Sequence, residues 1–398
     1  MNKKKSSLVL FIIGIILISF NLRPAITAVG PIITTIRDSV GLHTSIVGLM
    51  TSLPLLAFAV MSPIAPRLAN RLGNEKTLLY GLVILLSGIL IRSLPPTILL
   101  FIGTILIGVG IAIMNVLLPS LIKSKFPNLI GPMTGVYTTA MSGFAAIGSG
   151  LSVPLTEGVG LGWRWSLASW GVLAVIAIII WVFVLRGTKT EQTVEVYEPN
   201  ALKLLKSRVA WQVTLFMGLQ SFLFYVTISW LAEILIADGF SPTTAGWYVA
   251  YMQLISLPAT FFTPIIASRL KKQHIIVWIF SLSGIIGYIG LLFENNTVVT
   301  TIWVTLIGIL LGSSISLALA FLGLRTVNPY QAAELSGMAQ SFGYLLAATG
   351  PFLIGLIFDI TASWNTAIIV IIVVSVLTLI FGLGASRDKY VLEEKTNS

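Results

Sequence analysis

The chain has 398 residues, 56% hydrophobic and only 10% charged, with a net charge of +10 and a mean hydropathy of +0.97. That much apolar sequence, gathered in blocks of membrane-spanning length, excludes a soluble domain and predicts an all-α polytopic membrane protein. Cysteine is absent and His43 and His274 are the two histidines, which excludes disulfides, thiolate chemistry and a Cys- or His-rich metal centre; no cofactor is implied.

The first apolar block, about 8–33, follows Lys3, Lys4 and Lys5 and has the form of a secretory signal. It resumes past Pro24 and is followed by eleven more blocks, so it is read as uncleaved. Arg23, in Ser19-Phe20-Asn21-Leu22-Arg23-Pro24-Ala25, lies about 15 residues into it. At a rise of ~1.5 Å per residue that is about 22 Å along, inside a hydrocarbon core of about 30 Å. A guanidinium there keeps its charge, and such groups usually face a bundle interior or a watery pathway. Two roles stay open: a structural arginine bonded to carbonyls or a carboxylate, and an anchor for an anionic substrate.

The remaining blocks of the first half are about 44–66, 77–94, 97–122, 129–155 and 165–185. Those of the second are about 209–236, 243–267, 275–293, 297–322, 332–358 and 364–385. Each is a continuous apolar run, hence a helix and not a barrel strand. With the N-terminus inside, twenty basic residues fall in inner segments and three (Arg37, Arg92 and Arg164) in outer loops, Arg23 being left in the membrane. The positive-inside rule therefore makes both termini cytoplasmic, in a multi-pass protein of the bacterial inner membrane. The positive charge is topology information, not a nucleic-acid patch.

The polar stretch 187–207 divides the chain into a bundle at 1–186, a cytoplasmic linker, and a bundle with a short tail at 208–398. Met133-Thr134-Gly135 with Gly148-Ser149-Gly150 in span five parallels Leu335-Ser336-Gly337 with Gly350-Pro351 in span eleven, and Pro127 and Pro329 precede them. Such weak internal symmetry is expected of duplicated transporter halves.

Twelve spans, the six-and-six split and the mid-chain linker resemble the major facilitator superfamily. Pro66 to Lys76 is similar to its G-x-x-x-D-R-x-G-R-K signature: Arg71 and Gly73 match, while Pro66, Asn70 and Asn74 replace the first Gly, the Asp and a basic residue. The resemblance implies a cytoplasmic latch, altered here by the neutral Asn70; an ordinary basic inner loop explains Arg67, Arg71 and Lys76 as well. Thr104 to Gly108 lacks the Arg and Gln of the superfamily's R-x-x-Q-G pattern, tied to proton coupling. Asn21-Leu22-Arg23-Pro24-Ala25, Gln220 to Tyr225 with Trp230-Leu231, Leu335 to Tyr344, and Gly350-Pro351 with Asp359 resemble the cyanate and nitroimidazole permease branch over nearly the whole chain. Ala232 stands where that branch often has Pro, so a kink is expected to be missing.

The resemblance implies a cavity lined by spans one, four, seven and ten, which assigns substrate binding to Asn21, Arg23, Asn115, Gln220 and Tyr225, with Gln340 and Tyr344 beside them. Coupling or gating falls to Glu233, Asp359, Arg71 and Gly73. Arginine offers a forked donor to an oxyanion or nitro group, and aromatic faces stack on a flat ring. Interface anchoring stays open for the aromatics, Trp230 above all. Interhelical bonding stays open for the glutamines and for Ser313, Ser314 and Ser316, and interfacial placement for Asp359.

These readings predict a secondary active transporter of a small anion or a small polar or nitroaromatic compound, coupled to protons and working as a monomer in the bilayer. A drug or metabolite exporter of the same superfamily is the alternative. No Walker-type phosphate loop is present, which excludes ATP drive by this chain. A membrane enzyme would need a titratable constellation that the spans lack, and a sensor would need a soluble output domain.

Overall fold

A computed structural model describes residues 3–41, 44–187, 201–293 and 296–392. It is helical throughout, with no strand among the described residues. His43, Glu195 and Asn295 and most of the 187–207 linker lie outside them, as do the side chains of Arg37 and Asp359.

The helices of the first half are α1 (Lys3–Asn21), α2 (Pro24–Thr27), α3 (Ile33–Val40), α4 (Thr44–Met61), α5 (Ala65–Leu72), α6 (Asn74–Arg92), α7 (Thr97–Lys125), α8 (Ile130–Val153), α9 (Gly162–Ser169) and α10 (Gly171–Gly187). Those of the second are α11 (Ala201–Lys206), α12 (Arg208–Ala237), α13 (Pro242–Ser268), α14 (His274–Gly290), α15 (Thr297–Leu324), α16 (Pro329–Thr361) and α17 (Trp364–Ala385). Among the described residues nine helical stretches are long and apolar enough to cross a membrane, and α4 with α5, bent by 52°, makes a tenth span. The short α14 and the Gly-, Ser- and Thr-rich α8 complete the twelve blocks.

Helix starts follow local chemistry. Ser207, Ser241, Asn296 and Asn328 cap α12, α13, α15 and α16 by accepting backbone N–H groups, and Pro242 and Pro329 stand at first helical positions, where no N–H is needed. In span seven α12 is one continuous helix of 30 residues, Arg208–Ala237, that runs through Ala232.

By its contacts the chain forms two compact units, Met1–Leu121 with Val136–Pro199, and Ile122–Gly135 with Asn200–Ser398. In the first, Phe11 and Trp181 join α1 to α10, with ring centroids 5.5 Å apart. α7 lies hard against the end of α6, since a Cβ at Gly103 would fall 2.6 Å from the Cα of Arg92. In the second, α12 and α16 meet backbone to backbone, a Cβ at Gly218 falling 3.0 Å from the Cα of Gly343. Small residues allow such approach where lipid gives no hydrophobic drive to pack helices.

The second unit also carries a fully furnished buried arginine. Arg325, just past α15, donates from Nε to Ala385 O at 2.8 Å and from Nη2 to Gln273 Oε1, and lies 5.2 Å over the ring of Phe321. Its own carbonyl accepts Val391 N at 2.9 Å, tying the chain after α17 to α15. Burial lowers its pKa to about 10 against the pull of Asp388 and Tyr390, so it stays charged at neutral pH. Lys123, from the segment that joins this unit, caps the same helix end through the carbonyls of Gly323 at 2.7 Å and Thr326 at 2.5 Å.

Candidate functional site

Span one breaks where its sequence demands. Pro24 has no N–H to give, α1 stops at Asn21, and Arg23 becomes the cap of the short α2, with φ −129° and ψ −41°. The Arg23 carbonyl accepts Ile26 N at 2.9 Å and Thr27 N at 3.0 Å, while Asn21 Nδ2 donates to Leu17 O at 2.8 Å and Leu173 O at 3.2 Å. Arg23 itself is 7% exposed.

Two elements hold the break in place. From α8, the Ala145 carbonyl accepts Thr27 Oγ1 at 2.9 Å, and Ser149 and Ser152 donate to the carbonyls of Thr27 and Ala28 at 3.2 and 2.8 Å. Gly148 lets α8 come this near, because a Cβ there would lie 2.9 Å from Pro24 Cα. Phe20 stacks on Phe144 at 3.8 Å. From α6, Arg92 Nη1 donates to Ala25 O at 2.6 Å.

Arg92 corrects the sequence reading. It was expected in an outer loop, yet it is the last residue of α6 and 1% exposed. The signal was available, since Arg92 lies within the apolar block 77–94, but loop-by-loop charge counting assigned it to water. Asn115 is buried on α7 in the same unit. The first unit thus gathers Asn21, Arg23 and Arg92 around the broken helix. A cavity of ≈ 280 Å³ beside α8, α9 and α10 is lined by apolar side chains such as Phe144, Ile147 and Leu151, and by none of the predicted site residues.

In the second unit Gln220 is wholly buried on α12, its Nε2 donating to Met217 O at 3.0 Å and Ser221 Oγ at 2.7 Å, while its Oε1 has no protein partner among the described residues. Gln340, on the facing α16, donates to Ser336 Oγ at 2.8 Å. Tyr344 is buried, and Tyr225 is half-buried and edge-on to Phe224. Trp230 donates to Pro351 O at 3.0 Å and packs near Trp364, which fits helix packing. Ser313 accepts from Thr263, and Ser314 and Ser316 bond back to their own helix, as packing serines do.

Glu233 is exposed near the end of α12. Arg71 is exposed at the end of α5, and Gly73 takes φ +88°, a conformation that favours glycine. Of Asp359, only its place in α16 is described.

The sequence pattern of the Major Facilitator Superfamily matches residues 9–351. An uncharacterized transporter, YycB, of Bacillus subtilis is 51% identical over 99% of this chain and 97% of its own. The 2-nitroimidazole transporter of Escherichia coli is 41% identical over 96% of both chains, and its cyanate transport protein CynX 25% over 88% and 90%. Among solved structures, the fucose transporter FucP in the outward conformation superposes with a TM-score of 0.76, at 14% identity over 96% of this chain and 100% of that one. The chain belongs to the Major Facilitator Superfamily, in the branch of the cyanate and nitroimidazole transporters. It is a polytopic membrane transporter of all-helical fold, and not an enzyme.

Proposed function

We propose that this transporter carries a small planar substrate bearing an anionic or nitro group, by alternating access of two six-helix halves in the bacterial inner membrane, as a monomer coupled to protons. The observation that carries this reading is the burial of Arg23 at the break of span one. A permanent cation in that position suits an oxyanion or nitro group, which takes two parallel N–H bonds from the guanidinium plane. The names of the relatives agree, one a 2-nitroimidazole and one a cyanate transporter. Asn21, Asn115, Gln220 and Gln340 supply further buried amides, and Tyr225 and Tyr344 aromatic faces. Arg71 and Gly73 belong to the cytoplasmic gate, and Glu233 and Asp359 are the acids assigned to coupling.

Uptake into proteoliposomes, with and without an imposed pH gradient, tests it. Saturable accumulation of cyanate or a nitroimidazole that follows the gradient is expected. Uptake equal to that of protein-free vesicles, for both compounds in either direction, would overturn the reading.

A further inference from the structure

We propose that Arg92 anchors a second binding subsite in the first unit, for a small planar oxyanion or nitro group. Its guanidinium is 1% exposed, and only Nη1 is engaged, on Ala25 O. Nε and Nη2 have no protein partner among the described residues. These two nitrogens share one edge of the guanidinium plane, the fork that meets two oxygens of one anion side by side.

The position of that fork is fixed. The backbone of Arg92 is wedged against Gly103 of α7, and Nη1 is held by the broken segment of span one. Trp170, in the same unit, carries another unsatisfied donor. Its Nε1 is buried without a protein partner among the described residues, and the residue belongs to the apolar cluster that includes Ala28, Val29 and Leu100. The next residue, Gly171, lies against α6 one turn before Arg92: a Cβ there would sit 3.6 Å from Ile89.

The unsatisfied groups decide the chemistry. Guanidinium and indole N–H groups are donors only, so what completes them is an acceptor. Leaving such donors unmade in a buried place is costly, and more so when the donor is charged. A buried cation adds a demand for negative charge. Two adjacent oxygens on a small anion, such as nitrate or a carboxylate, or on a nitro group, meet both conditions. Arg92 meets the broken segment at Ala25, two residues after Arg23, and the comparison of Arg92 and Arg23 variants below separates the two sites. The subsite sits at the end of α6 that the charge distribution assigns to the outer face.

The test is a nitrate titration of the purified full-length protein at constant ionic strength, with gluconate as the balancing anion and thermal unfolding as the readout. Wild type, Arg92→Lys and Arg23→Lys are compared. Nitrate is expected to raise the Tm of wild type saturably, and more than chloride does. Arg92→Lys keeps the charge and loses the fork, so its apparent nitrate affinity should fall about tenfold or more, as expected when a charge-assisted bond is lost. The response should survive in Arg23→Lys. A flat response in wild type overturns the proposal, since water would then be completing the donors. So does a response that disappears in Arg23→Lys, which would put the anion at Arg23 and leave the transport reading intact. If Arg92→Lys does not fold, Arg92→Gln, which also removes the fork, is titrated in its place, and a nitrate response unchanged from wild type in the Arg92 variant overturns the proposal.

Discussion

Arg92 and Arg325 are both buried at the ends of helices, yet their surroundings are opposite. Arg325 is furnished by the protein itself, with a carbonyl, an amide oxygen, an aromatic face and the nearby Asp388. Among the described residues Arg92 has one carbonyl and an open fork. A buried guanidinium whose donors meet carbonyl, amide and ring is a structural tie. One whose bidentate edge meets no partner among the described residues is suited to meet something else. Arg23 is assigned to substrate on a different ground, its burial at the break of span one.

The contrast breaks most readily through packing. Gly103→Val, which drives a branched side chain into the backbone of Arg92, is expected to abolish accumulation of folded protein, read by fluorescence-detected size exclusion of a tagged chain. Arg325→Met should come next. It leaves Gln273 Oε1 and Ala385 O without their donor, at about 1–3 kcal/mol for each group that water does not reach, and lowers the Tm without changing substrate affinity in the protein that remains. Arg92→Met differs on this account. A buried charge that is not fully compensated carries a desolvation cost, which Met relieves at the loss of the one bond to Ala25 O, so the Tm in gluconate should fall less than in Arg325→Met while the nitrate response is lost. Equal destabilisation by the two Met variants would erase the distinction between the two arginines.

Much of this was legible in the sequence. Twelve spans follow from hydropathy, because hydrocarbon forces long apolar runs. The break in span one follows from Pro24 beside a residue that cannot shed its charge. What sequence does not carry is the helical face. Glu233 is assigned to coupling by its place in span seven, and its side chain is exposed. Arg92 was assigned to water because a basic residue at the end of a span usually reaches it, whereas here Gly103 pulls α7 over the end of α6 and closes it off. The pairing of Gln273 with Arg325 is tertiary, across 52 residues, and no local pattern announces it.

The smallest effect is expected at Glu233. Glu233→Gln removes the titrating group and keeps the shape, so it should reduce gradient-driven accumulation in proteoliposomes while leaving substrate exchange intact. Unchanged accumulation at every pH would remove Glu233 from the coupling path and leave Asp359 as the acid to examine.

The account depends most on Arg23 as a ligand to substrate. The direct measurement is initial uptake of cyanate and of a nitroimidazole into proteoliposomes by wild type and Arg23→Lys, at matched amounts of folded protein. Loss of the fork should cut kcat/KM by about 10- to 100-fold, the worth of one strong charge-assisted interaction, with the Tm close to that of wild type. Normal transport by Arg23→Lys, together with a lowered Tm, would contradict the account and make Arg23 a structural tie of the same kind as Arg325.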